Sequence, residues 1–329
     1  MCIFANSETM RTSRGSQHPG SIAAVAAVTV LVAVAGCGAA LTKTQTAAIQ
    51  DFAQANDMFV KFPAAVLRTY EEVHLETRTF DATSVGARDA SRAVTQLVRA
   101  VEFSQELEKV AVKLDAVTEV LCQYAALLRR LSSDMSGGVD EAAADLGSAL
   151  DTSIGGYNRV SGGAPLSLVG AGAASAARAA GGLYIKHRQL VYLREFVGRA
   201  DPLVTRLAGD VGVLVGSFIG ADGYLGADTT SIQRTLAVYA SAHGTALTVS
   251  DVHLFGEALR KEALAATLAE DVQHMSTELA KTHSALKGVL DPRTSSVNAK
   301  AELQVLIAEL QAAARVKAKL DGTNKQAKE

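Results

Sequence analysis

An all-α fold is what this 329-residue sequence predicts: an elongated bundle of long antiparallel helices with a Gly/Ala-rich helical middle. Three observations predict it. The vocabulary is that of helices, with abundant Ala, Leu, Glu, Lys, Gln and Arg, no Trp and only 5% aromatic residues. One segment carries an unbroken heptad seam. Leu107, Val110, Leu114, Val117, Leu121, Tyr124, Leu128 and Leu131 alternate steps of three and four. Finally, no strand-length alternating pattern with turn punctuation occurs anywhere in the chain.

In chain order, 42–79 reads as helix, with Ile49, Phe52, Ala55, Phe59 and Phe62 at helical spacing. Pro63 should break it near Phe62, because proline lacks the N–H and clashes with the preceding turn. Asp81 to Gly86 reads as a break. The helix carrying the seam extends back through Phe103 toward Asp89, giving about 45 residues and roughly 65 Å. Ser136-Gly137-Gly138 should end it. Val139 to Leu150 is a further helix, followed by a turn bracketed by Gly155-Gly156 and Ser161-Gly162-Gly163. Pro165 suits the first turn of another helix. From Gly155 to Gly226 the chain holds 15 of its 27 glycines and two of its five prolines. Tyr184 to Val197 is amphipathic, and Pro202 should open a separate helix through Ile219. Asp222 to Thr230 reads as a loop, with Asp228 or Thr230 capping a helix over 232–242. Ser250 and Asp251 cap a second long helix to Leu290. Ser295 or Ser296 begins the last one, and 321–329 should fray. The reading is therefore a single elongated domain over 47–320.

Ahead of it stands SIAAVAAVTVLVAVAGC, Ser21 to Cys37, preceded by Arg11 and Arg14. A basic region, a short apolar core and small residues form a secretory signal design, and the run is too short to span a bilayer comfortably. The ending Val34-Ala35-Gly36-Cys37 resembles the lipobox of bacterial lipoproteins. The resemblance covers residues 10–37. It implies removal of residues 1–36, a lipidated Cys37 and a tether over 37–46. It also implies a bacterial cell-envelope location. Gly38 stands where an Asp would retain the protein at the inner membrane, so the outer membrane facing the periplasm is implied. Several acyl chains make such attachment effectively permanent.

The charge balance narrows the partners. Removing Arg11, Arg14 and Glu8 from 32 basic and 34 acidic residues leaves 30 and 33, which is no footprint for nucleic acid. Of three cysteines, only Cys122 would remain after processing and lipidation. It lies among Leu121, Leu127 and Leu128, and reads as a buried inert thiol.

Three motifs invite a chemical reading. Leu166 to Ser175 runs LSLVGAGAAS, similar to a dinucleotide fingerprint at Gly170 and Gly172, with Glu195 as a late ribose partner. That fingerprint needs a βαβ unit, which nothing nearby supplies. Gly212, Gly216 and Gly220 form a stripe at i, i+4 and i+8, the device by which helices pack closely. Together with the uncharged 161–177, this gives the middle a resemblance to the hydrophobic hairpin of α-helical pore-forming proteins. Glu71-x-x-His74 and Asp271-x-x-His274, with Glu119 or Glu278, have the residue types of a di-iron bundle. Asp271 is short for that role, and EEVHLE around His74 reads as a solvated face. The expectation is therefore a protein without catalytic residues, cofactor, metal or small-molecule substrate. It would be a lipid-anchored helical scaffold with a protein partner or self-association. The alternative is a membrane-active bundle that inserts its Gly-rich middle.

Overall fold

The computed structural model describes residues 41–86, 89–133, 139–170, 185–219, 224–243, 248–291 and 297–326. Cys37, Gly172 and Gly220 lie outside them. Among the described residues there are eight helices and no strand: α1 Lys43–Phe59, α2 Pro63–Gly86, α3 Ala90–Ser132, α4 Val139–Ser161, α5 Ile185–Ile219, α6 Tyr224–His243, α7 Val249–Leu290 and α8 Val297–Gln326. None is long and apolar enough to cross a membrane.

α1 begins at a capping box: Thr42 accepts from the Gln45 amide, and the Gln45 side chain accepts from the Thr42 amide. Pro63 starts α2 after a short turn, as its missing N–H dictates. Asp89 caps α3 through the Arg92 amide. All eight seam residues on α3 are buried. The seam is therefore core, packed against α1, α2, α4 and α5, and not a partner surface. The main cluster runs without interruption through helices α1 to α5, α7 and α8. A small satellite of Ile232, Phe255 and Ala258 joins α6 to α7.

Several sequence-based boundaries are overturned. The break expected at 81–86 is helix, because Asp81 is drawn into contact with α6. Gly155-Gly156 stay helical, and α4 ends only at Ser161, where Gly162 takes a left-handed φ of 67°. Residues 165–169 are irregular, so Pro165 does not open a helix. Pro202 lies inside α5 instead of starting a new helix. An internal proline costs about 3 kcal/mol. Here Leu193, Phe196 and Val197 are buried before it and Leu203, Val204 and Leu207 after it, so packing on both sides outweighs the lost hydrogen bond. The loop expected at 222–230 is helical from Tyr224, and Asp228 lies within α6. α8 continues through the expected tail to Gln326.

Where it is described, the glycine stripe of α5 faces side chains of α7. Gly212 on α5 lies under Ser276 of α7, whose Oγ would be 3.1 Å from an added Cβ; at Gly216 the Gln273 Nε2 would be 2.6 Å away. Gly170 is tighter still, since a Cβ there would overlap the backbone of Gly147 in α4. Gly170→Ala is expected to cost about 1–3 kcal/mol, the scale of overpacking, read as a lowered urea midpoint. A midpoint equal to the parent protein's would mean that the two segments can part freely.

Candidate functional site

Two polar clusters lie within the helical core. The first joins α2 to α6. Tyr70, His74 and Arg78 recur at i, i+4 and i+8 and so share one face of α2. All three reach Asp228, whose carboxylate is fully buried. Its Oδ2 accepts from the Tyr70 hydroxyl and from His74 Nδ1, each at 2.6 Å, and its Oδ1 accepts from Arg78 at 2.6 Å. Arg78 also donates to Asp81 and to Ser231, while Ser231 and Thr235 donate to Asp81. Lys261 of α7 completes the wall with an ion pair to Glu76 at 2.8 Å. Burial beside Asp228 pushes the Tyr70 phenol far above its ordinary range. The aromatic stack His74–Phe103–Tyr224 closes the cluster, with centroids 4.6 and 4.4 Å apart.

The second cluster crosses the bundle from α5 through α7 to α3. Asp201 accepts from His283 Nδ1 at 3.0 Å, and His283 Nε2 lies 2.6 Å from the Tyr124 hydroxyl. Ser284 and Lys287 also donate to Asp201. Carboxylate, imidazole and hydroxyl in this order have the connectivity of a general-base relay. Here, however, Tyr124 and His283 are fully buried. No substrate atom can reach either group, so the triad works as a polar crosspiece. Phe52 and Phe196 wall it, with Phe52 edge-on to His283 at 5.4 Å.

This crosspiece makes the fold acid-sensitive. Burial holds His283 below the usual imidazole range. The hydrogen bond from His283, helped by Lys287, holds Asp201 well below the usual carboxylate range. As pH falls below about 6.5, the unfolded chain takes up a proton at His283 that the folded chain refuses, so stability falls. The contribution of His283 is complete above that value and is lost toward its folded pKa. That of Asp201 is present above the ordinary carboxylate value and is lost at still lower pH. Each unit of separation is worth about 1.4 kcal/mol. Chemical denaturation at pH 7 and pH 5 should show the loss, and His283→Gln should shrink it. An equal loss in that variant would place the acid sensitivity elsewhere.

The candidate motifs are not brought together as chemistry. Val169 and Gly170 do present backbone amides, as a phosphate loop would, but both amides donate to Asp151 Oδ1 at 3.0 and 2.7 Å. The segment before them is irregular and not a strand. His74 is a correction: it is buried against Asp228 and not on a solvated face, whereas His274 is exposed. Among the described residues no group of three His, Cys, Asp or Glu is placed to hold a metal ion. Cys122 is a second correction. It is buried, as expected, but disulfide-bonded and not a thiol.

Sequence reasoning missed a third feature. Val94, Leu97, Val98 and Val101 on α3 are exposed, by 60, 39, 51 and 52%. They recur at i, i+3, i+4 and i+7 and thus form one apolar stripe on the helix surface. It lies beside the buried face formed by Ala93, Ala100, Ser104 and Leu107. The pattern was present in the sequence, but which face is covered depends on where α2 and α6 lie. No protein-family model, curated protein or solved structure matches this chain.

Proposed function

We propose that this chain is a lipid-anchored helical scaffold of the bacterial cell envelope that acts by holding a partner helix and not by catalysis. The α3 stripe carries the reading. Four adjacent exposed aliphatic side chains at helical spacing match the anchor pattern of helix-against-helix recognition. The heptad seam on the same helix is consumed by the core, so the stripe is the surface that α3 has left to offer. The lipobox-like ending at Cys37 supplies the anchor, and Gly38 points to the outer membrane. The short tether before Lys43 keeps the helices near that membrane.

The test has two arms. A photo-crosslinking residue at Val98, in cells, should capture a discrete partner, and Leu97→Glu should abolish the capture while helicity stays unchanged. A crosslink of the chain only to itself would make the partner a second copy. Absence of any crosslink from Val94, Leu97, Val98 and Val101 would remove the scaffold reading. For the anchor, labelling with a radioactive fatty acid should vanish in Cys37→Ser. The disulfide at Cys122 bears on this arm, because a Cys37 thiol paired in a disulfide cannot form a thioether. The mass of the Cys122 peptide before and after reduction identifies its partner and decides between the two fates. Dye leakage from liposomes exposed to the unlipidated protein would instead favour the membrane-active alternative.

A further inference from the structure

α6 is attached to the bundle differently from the other helices. It packs chiefly on α2 and α7, yet none of its described residues belongs to the main apolar cluster, and only the small satellite around Ile232 and Phe255 reaches it. Three of its described side chains are buried: Asp228, Ile232 and Thr235. Two of the three are polar. A helix fixed permanently to a core buries aliphatic side chains, whose removal from water supplies the stabilisation. Buried charge networks contribute less, because desolvation offsets most of the attraction, and their better-attested use is to specify one partner or register. An element with few buried apolar contacts also opens at a lower free energy than the core. α6 thus has the attachment of a specific and releasable element.

The face beneath it reads a pattern. Tyr70, His74 and Arg78 of α2 converge on the Asp228 carboxylate. Further along α2, Asp81 accepts from Ser231 and Thr235. Donors on α2 therefore meet a carboxylate, and an acceptor on α2 meets hydroxyls three and seven residues later on the opposing helix. Glu262 of α7 lies close enough to help raise the Tyr70 phenol, so the face selects this order of hydrogen bonds and not negative charge in general.

We propose that this face of α2 is a docking site for a partner helix that carries an aspartate with hydroxyl residues three and seven positions later, and that α6 occupies it in cis as an autoinhibitory lid. When α6 is released, the partner's aspartate takes the place of Asp228 between Tyr70, His74 and Arg78, and its hydroxyls donate to Asp81. The two helices exclude each other because they need the same donors. Neither the α3 stripe nor lipidation of Cys37 is required for it.

The probe is a fluorescently labelled synthetic peptide of residues 224–243, titrated by anisotropy into the full-length protein carrying Cys37→Ser. That parent protein should bind it weakly, because the site is filled. Ile232→Ser loosens α6 without touching the docking face and should bind the peptide about tenfold more tightly or better, since apparent affinity scales with the fraction of open sites. Asp228→Ala, which vacates the carboxylate position, should do the same, and Ile232→Ser carries the test where Asp228→Ala does not fold. A peptide carrying Asp228→Asn should bind about tenfold more weakly, the scale of a lost charge-assisted hydrogen bond. Arg78→Gln in the Ile232→Ser protein should remove that discrimination. Native-state hydrogen exchange of the parent should show α6 amides opening before those of α2 and α3. Equal peptide binding by the parent and the loosened variants would overturn the lid, as would α6 exchange that occurs only with global unfolding. No binding to a folded Ile232→Ser protein, or equal binding of the Asp and Asn peptides, would overturn the docking face.

Discussion

Asp228→Ala is expected to destabilise the protein by about 3–5 kcal/mol, the range for removing one member of a buried charged network. The carboxylate accepts three hydrogen bonds from one face of α2. Its loss strands the Tyr70 hydroxyl and His74 Nδ1 in a site that water does not reach. Arg78 is affected less, because 28% of its side chain is exposed and it retains Asp81. The Asp228 carboxylate is also a principal polar tie between α6 and α2. Equilibrium urea denaturation of Asp228→Ala and Tyr70→Phe separates the parts. Tyr70→Phe removes one donor and should cost about 1 kcal/mol. A loss below about 1 kcal/mol for Asp228→Ala would show that α6 is held mainly by the apolar satellite around Phe255.

The second large effect is on α3. Leu121→Ala removes a fully buried seam residue from the middle of the main cluster and is expected to cost about 2–5 kcal/mol, as large-to-small changes in packed cores do. Val98→Ala lies on the same helix but is half exposed, and should change stability by no more than about 0.5 kcal/mol. Paired denaturation curves therefore distinguish two apolar patterns that look alike in the sequence. If Val98→Ala costs as much as Leu121→Ala, the stripe is covered in the folded protein and offers no docking surface.

The local elements whose cause is local were readable. Pro63 separates α1 from α2 because its ring forbids a continuous turn. Asp89 begins α3 because its side chain can meet a free amide at the helix start. The seam from Leu107 to Leu131 announced a long helix with one apolar face through its period alone. The misread boundaries share a different cause. Gly155-Gly156 and Pro202 weaken a helix by amounts that tertiary packing can outweigh. Asp81 and Asp228, residues that favour breaks and caps, are held inside helices by partners far away in the chain. Both polar clusters were illegible for the same reason: His74 meets Asp228 across 154 positions, and Tyr124 meets His283 across 159.

The sequence by itself determined the all-α class, the long third helix, the small-residue stripe at Gly212 and Gly216, and a charge balance without a nucleic-acid footprint. These follow from composition, period and side-chain size, which act within one helix or one turn. Only the tertiary structure decided that the seam is core and the Val94–Val101 stripe is surface. It also decided that His74 is buried. A helix has several faces and its sequence does not say which neighbour covers each. Burial is settled when distant helices compete for the same apolar surface, and buried polar groups follow the partners that this packing brings.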